Sequence, residues 1–169
     1  MTLLPVKALL GALCLTPLLL WAQVCVDTKD GQQLCLAETA KRIATLSPGA
    51  TELMFAAGAG DQVVAGVNHS DYPPAARKLP LVGNHTKIDI EALLALQPDL
   101  VITWVTGNPP AQMEMLHALS LPIFAIEPRT FAEVSTVIEQ LSILAGTPEQ
   151  GFAEAERFRV GMAEITEQY

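Results

Sequence analysis

The chain has 169 residues and a formal net charge of −8, with 10 basic against 18 acidic side chains. That balance argues against nucleic acid or an anionic membrane surface as the main partner. The length suits one domain, and with only 5% aromatic residues each ring outside a helix core stands out.

The chain opens "MTLLPVKALLGALCLTPLLLWAQ", where one cation, Lys7, precedes an uncharged apolar run from Ala8 to Ala22. A basic n-region followed by an apolar h-region is the pattern of a secretory signal peptide. The run is short of the about 20 apolar residues that a membrane span needs, and Pro17 interrupts it. The expectation is a signal over residues 1–22, cleaved near Ala22 or Gln23. A lipid anchor on Cys14 or Cys25 and a retained anchor helix are the alternatives. Without Lys7 the mature part holds 9 basic and 18 acidic residues, a net of −9.

"VCVDTKDGQQLCL" (24–36) follows, with Cys25 and Cys35 placed symmetrically about Asp30. The spacing is not a zinc spacing, and no histidine lies close in sequence. A three-residue loop, Lys29-Asp30-Gly31, with Gly31 left-handed, sets residues 25 and 35 opposite each other in a hairpin. Opposed residues sit about 4.5–5.5 Å apart at Cα, which a disulfide can bridge, and an exported protein favours the oxidised state. Two free thiols in a fraying arm are the alternative.

From Arg42 onward, strands and helices alternate. "RIATLS" (42–47) reads as a strand. "PGATELMFAAG" reads as a helix capped by Ser47, begun by Pro48 and closed by Gly58. "VVAGVN" (63–68) and "LPLVG" (79–83) read as strands, "DIEALLAL" (89–96) as a helix capped by Asp89, and "DLVITW" (99–104) as a buried strand. "NPPAQMEMLHAL" (108–119) is a helix begun by Asn-Pro, and "PIFAIE" (122–127) a further strand. In "TFAEVSTVIEQLSILAG" (130–146), Phe131, Val134, Val137, Ile138, Leu141 and Leu144 share a stripe, with Gly146 closing the helix. The last segment, from Thr147, opens with a capping-box pattern, Thr147 and Gln150. It runs as helix to Tyr169, with Phe152, Phe158, Met162, Ile165 and Tyr169 as its apolar stripe. No helix stop precedes Tyr169, so a further C-terminal part is expected.

This alternation predicts an α/β domain with a mostly parallel sheet flanked by helices. Ligands in such sheets bind beyond the carboxyl ends of the strands. The loops there hold nearly all the unusual residues: His69, Asp71, Tyr72, His85, Trp104, Asn108 and Arg129. His69 and His85 fit ligand contact, even metal ligation, or two solvated loop histidines. Trp104 fits an aromatic wall at a site mouth or a core ring. His117, inside a helix, reads as structural. Glu91 sits in a first helical turn, where the dipole favours it. No dinucleotide fingerprint, phosphate loop, zinc-protease motif or nucleophile elbow is present, and an enzyme is the least favoured class.

The order and spacing of "SPGATE", "SDYPP", "VGN…IDIEALLALQPDLVI" and "W…GN" resemble the periplasmic substrate-binding proteins of metal-chelate (class III) ABC importers, in particular their vitamin B12 (cobalamin)-binding group. The resemblance covers about residues 24–169. It implies a Rossmann-like α/β N-terminal lobe over residues 23–146 and the start of a long interdomain helix over 147–169, with the C-terminal lobe absent from this chain. It implies a periplasmic location, a corrinoid ligand held between two lobes, and delivery to a permease with its ATPase. No cofactor, resident metal, nucleic acid or catalysis is implied, and a monomer is expected.

Carried over by position, His69 and His85 stand where the cobalamin-binding pattern has aromatics, and Trp104 matches a family tryptophan. Glu91 matches a glutamate that docks onto permease arginines. His69, Asp71, Tyr72, His85, Trp104 and Asn108 are thus the candidate ligand-binding residues. The hairpin is expected at the start of the lobe, away from the ligand loops. An iron-siderophore or haem binder is the runner-up, and a non-transport interaction domain is the reading if the chain ends at Tyr169.

Overall fold

The computed structural model describes residues 23–168. The expected signal segment at 1–22, with Cys14, and the terminal Tyr169 lie outside the described residues. The elements are β1 (Val24–Asp27), β2 (Gln33–Leu36), β3 (Ile43–Thr45), α1 (Pro48–Ala56), β4 (Val63–Ala65), β5 (Gly83–Asn84), β6 (Lys87–Ile88), α2 (Ile90–Ala95), β7 (Leu100–Trp104), α3 (Pro110–Ala118), β8 (Ile123–Ile126), α4 (Phe131–Ala145) and α5 (Pro148–Gln168).

β1 and β2 form the expected hairpin, with Cys25 opposite Cys35. The two are joined by a disulfide across a Cα separation of 4.1 Å. The Thr28 amide donates to the Gln32 carbonyl at 2.8 Å, which leaves Lys29-Asp30-Gly31 as the loop. Gly31 turns it at φ 78, a conformation that costs glycine nothing. The Asp30 carboxylate accepts from the Thr28 hydroxyl, and this bond holds its carboxyl below the ordinary range. The cysteines face solvent while Val26 and Leu36 are buried on the other face. That alternation is what a half-buried antiparallel pair requires.

The main sheet is parallel throughout, in the order β4-β3-β7-β8. The strand expected over 79–83 is reduced to an isolated parallel bridge between Gly66 and Leu81. Two causes are local. Pro80 has no amide to donate, and Gly83, at φ 104, turns the chain away. A Cβ on Gly83 would sit 2.3 Å from the Lys87 carbonyl oxygen, so only glycine permits the small β5–β6 hairpin there. With residue 81 outermost, the order reverses between β3 and β7, and the crevice at such a reversal is where α/β sheets bind ligands.

The helices cover both faces. Ile43, Leu100, Ile102, Phe124, Met54 and Leu141 belong to one apolar core, with α1 and α4. Ala44, Ala65, Val101, Leu93 and Leu116 belong to the other, with α2 and α3. The expected caps are in place: Ser47 accepts from the Ala50 amide, Asp89 from Ala92 and Thr130 from Glu133, and Gly146 closes α4 at φ 75. Within α4, Val137, Ile138, Leu141 and Leu144 are buried as patterned, but Phe131 is exposed.

The last helix departs from expectation. Its expected stripe is not its buried face: Phe152 and Ile165 are exposed, while Gly151 and Ala155 are buried. A Cβ on Gly151 would lie 2.1 Å from the Ser142 Cβ, so α5 meets α4 by close backbone approach rather than through large side chains. Phe158 lies edge-on to Phe131, with ring centroids 6.3 Å apart. The Thr147 hydroxyl donates to the Ala57 carbonyl at 2.7 Å, tying α5 to the end of α1 instead of serving the expected capping box.

Candidate loop site at the carboxyl edge of the sheet

The loops beyond β3, β4, β7 and β8 are fixed from beneath. The hydroxyls of Thr45, Thr51 and Ser70 form a buried chain, 2.7 Å between the threonines and 3.0 Å from Thr51 to Ser70. Ser70 Oγ also accepts from the Val67 amide. Fully satisfied buried networks of this kind rigidify their surroundings. The turn they support projects His69 outward at φ 72, a left-handed conformation in which histidine is enriched among non-glycine residues. Asp71 and Tyr72 follow on the surface, Tyr72 being 64% exposed, and Arg77 Nε donates to the Asp71 carbonyl at 3.1 Å.

Asn108 was expected at a helix start, but α3 begins at Pro110. The Asn108 side chain is buried and turned inward. Its Nδ2 donates to the Leu46 and His85 carbonyls, each at 2.9 Å, and its Oδ1 accepts from the Trp104 amide at 2.6 Å. One amide thereby joins the ends of β3 and β7 to the β5–β6 turn. Gln112 of α3 adds a second clamp, bonding both the amide and the carbonyl of Ile88. Sequence reasoning missed Gln112, because nothing local marks a helix glutamine as a partner for a strand edge.

These clamps bring His85 beside Trp104, with ring centroids 5.8 Å apart and planes tilted by 44°. Trp104 is 37% exposed and lies over Gly107, where a Cβ would come within 1.8 Å of the indole Cε3. The structure therefore assembles His85, Trp104 and Asn108 directly. His69, Asp71 and Tyr72 occupy the neighbouring loop, joined to the His85 turn through the Asn68 amide and the Gly83 carbonyl at 2.8 Å. Glu91 is apart from both, exposed in the first turn of α2.

Two further expectations change. The hairpin is not remote from the ligand loops. Its tip reaches the β8–α4 loop, where Lys29 Nζ donates to the Glu127 carbonyl at 2.6 Å. Between that tip, Trp104 and α3 lies a groove of about 720 Å³. His117, read as structural, is exposed and lines it. At the same corner the Glu127 carboxylate accepts from Thr106 Oγ1 at 2.9 Å and from Arg129 at 3.1 Å. Those bonds, Thr106 first, hold its carboxyl below the usual range. Among the described residues, no cluster of three or more His, Cys, Asp or Glu side chains could hold a metal ion.

A family model described as "Periplasmic binding protein" matches residues 43–168. The chain belongs to this periplasmic binding protein family. It is 43% identical over 130 residues to the vitamin B12-binding protein of Vibrio cholerae serotype O1, a match covering 77% of this chain and 47% of that protein. The solved structure of the periplasmic vitamin B12 binding protein BtuF of Vibrio cholerae superposes with a TM-score of 0.74 at 43% identity, covering 77% of this chain and 51% of that one. The periplasmic heme-binding protein RhuT of Roseiflexus sp. RS-1 superposes with a TM-score of 0.66 at 28% identity, over 74% of this chain and 48% of that one. The chain thus spans about half the length of the relatives it matches. The α/β lobe and the long final helix expected from sequence are those of this family.

Proposed function

We propose that this chain is the periplasmic solute-binding component of an ABC importer. It captures cobalamin or a related corrinoid and passes it to the membrane permease and its ATPase. The observation that carries the reading is the His85–Trp104 pair, held by Asn108 beyond the carboxyl ends of a parallel sheet, in a chain 43% identical to a vitamin B12-binding protein. A half-exposed indole beside an imidazole offers a flat apolar wall to a macrocycle, and large rigid rings bury ligand area at low entropy cost. His69, Asp71 and Tyr72 supply the neighbouring rim. Asn108 acts by positioning the wall. In this reading the lobe spans residues 23–146, residues 147–169 begin the interdomain helix, and a second α/β lobe meets the other face of the ligand. The protein works as a monomer, holds no cofactor and catalyses nothing. Glu91 docks on the permease, so Glu91→Lys lowers uptake and spares ligand binding.

A haem ligand is the second reading. It is favoured by the likeness to a heme-binding protein at 28% identity and by two loop histidines, since imidazole is a haem-iron ligand. Titration with cyanocobalamin, haemin and a ferric siderophore separates the two. Cobalamin is expected to bind most tightly. A clear preference for haemin or the siderophore overturns the first reading.

A further inference from the structure

Glu127 joins three segments that are far apart in sequence. Its carbonyl accepts from Lys29 of the disulfide-closed hairpin. Its carboxylate accepts from Thr106, two residues beyond Trp104, and from Arg129 at the start of the α4 segment. The side chain of Glu127 is only 13% exposed, against 67% for Arg129.

The hairpin does not need this contact in order to stay on the lobe. Val26 and Leu36 bury its inner face, and Gln140 of α4 donates to the Asp27 carbonyl at 2.8 Å. The tip, however, reaches past α4 to the carboxyl edge of the sheet. A two-stranded ribbon is marginal by itself, and the Cys25–Cys35 bridge gives this one a fixed end from which Lys29 can hold Glu127.

We propose that Glu127 is a positioning residue for the Trp104 wall, acting through Thr106 and held in place by Lys29 of the disulfide hairpin. The hairpin then contributes to ligand binding without touching the ligand. The ligand-binding part of this inference rests on the function proposed above. The positioning part does not, because it concerns the free protein.

The physical argument is one of local freedom. The segment Trp104–Asn108 is pinned on its inner side by Asn108. Val105 and Thr106 are exposed, and the Glu127 carboxylate is the side-chain partner of Thr106. A hydrogen bond to a charged acceptor is stronger than a neutral one. The Val105 amide still donates to the Ile126 carbonyl at 3.2 Å, so loss of the Thr106–Glu127 bond loosens the tip of the turn at Thr106 and lets the indole move away from His85.

The test uses the full chain carrying Trp21→Phe, so that Trp104 is the sole fluorescent indole. Acrylamide quenching is measured for Glu127→Ala, Thr106→Val, the double variant, Glu127→Gln and Lys29→Met. Glu127→Ala and Thr106→Val are each expected to increase quenching, with the double variant no worse than Glu127→Ala. Glu127→Gln keeps a neutral acceptor for Thr106 and gives a smaller increase than Glu127→Ala, and Lys29→Met gives a smaller change of the same sign. In the protein that carries both lobes, cyanocobalamin affinity falls about three- to tenfold in Glu127→Ala. Unchanged quenching in both single variants, or additive effects in the double variant, overturns the proposal. Parental binding with indifferent variants sinks the inference alone. Failure of the two-lobed parent protein to bind cobalamin, with the quenching pattern intact, sinks the proposed ligand and leaves the positioning role standing. Thr106→Val, an exposed substitution, keeps the test readable if Glu127→Ala does not fold.

Discussion

Gly107→Ala is the most direct test of how the indole is held. Gly107 lies outside the left-handed region, so its backbone accepts alanine, but a Cβ there would sit 1.8 Å from Trp104 Cε3 and 2.2 Å from Cδ2. Ordinary contact begins near 3.4 Å, so the ring must retreat by about 1.6 Å. A shift of that size breaks the 5.8 Å His85–Trp104 pairing, and aromatic pairs contribute about 0.5–1.5 kcal/mol beyond their area. Tenfold in affinity corresponds to about 1.4 kcal/mol, so a ligand using this wall is expected to bind about two- to tenfold more weakly. The global melting temperature should move little, because the displaced ring is at the surface. Near-UV circular dichroism and acrylamide quenching in the Trp21→Phe background read the ring directly. Unchanged spectra and quenching in a folded Gly107→Ala protein would refute the reasoning.

Three other perturbations follow from particular contacts. Asn108→Ala strands the Leu46 and His85 carbonyls and the Trp104 amide; unsatisfied buried groups of this kind cost about 1–3 kcal/mol each, so chemical denaturation should show a loss of at least about 2 kcal/mol, and a loss under 0.5 kcal/mol on that scale would contradict the staple. Gly151→Ala raises helix propensity by about 1 kcal/mol, yet its Cβ would meet the Ser142 Cβ at 2.1 Å; the overpacking cost of about 1–3 kcal/mol is expected to prevail, and a stabilised variant in a thermal melt would show that α5 does not approach α4 as closely as described. Glu127, Glu133 and Glu154 all titrate below the ordinary value of 4.5, owing first to Thr106, to the Arg129 amide and to Arg157 respectively. Carboxyls lowered on folding contribute stability that is present above the ordinary value and lost as pH falls through the folded one. The melting temperature should therefore hold above pH 4.5 and fall below it, and a midpoint that stays level on acidification would count against those bonds.

The hairpin shows how far local chemistry carries. Cys25 and Cys35 are ten positions apart, Asp30 lies midway and Gly31 can turn left-handed; the register follows from the turn and the disulfide from the turn together with the expected export, and the structure has both. The caps Ser47, Asp89 and Thr130 and the stop at Gly146 were legible for the same reason, since each acts on amides or carbonyls within four residues. Residues 79–83 mark the limit. Their composition suits a strand, but a proline and a left-handed glycine leave only a bridge.

Thus the sequence by itself determined the alternation of strands and helices, the parallel sheet, the stapled hairpin and the family resemblance, because period, capping and turn chemistry act over a few residues. Only the tertiary structure decided what the loop residues do. Asn108 reads as a polar loop residue until strand order brings Leu46, 62 positions away, beneath its amide. Glu127 reads as the end of a strand until Lys29, 98 positions away, reaches its carbonyl. Gly107 reads as a turn glycine until the indole lies across it. Each of these roles depends on which chain ends the sheet sets side by side, and that follows from packing over the whole lobe rather than from any window of the chain.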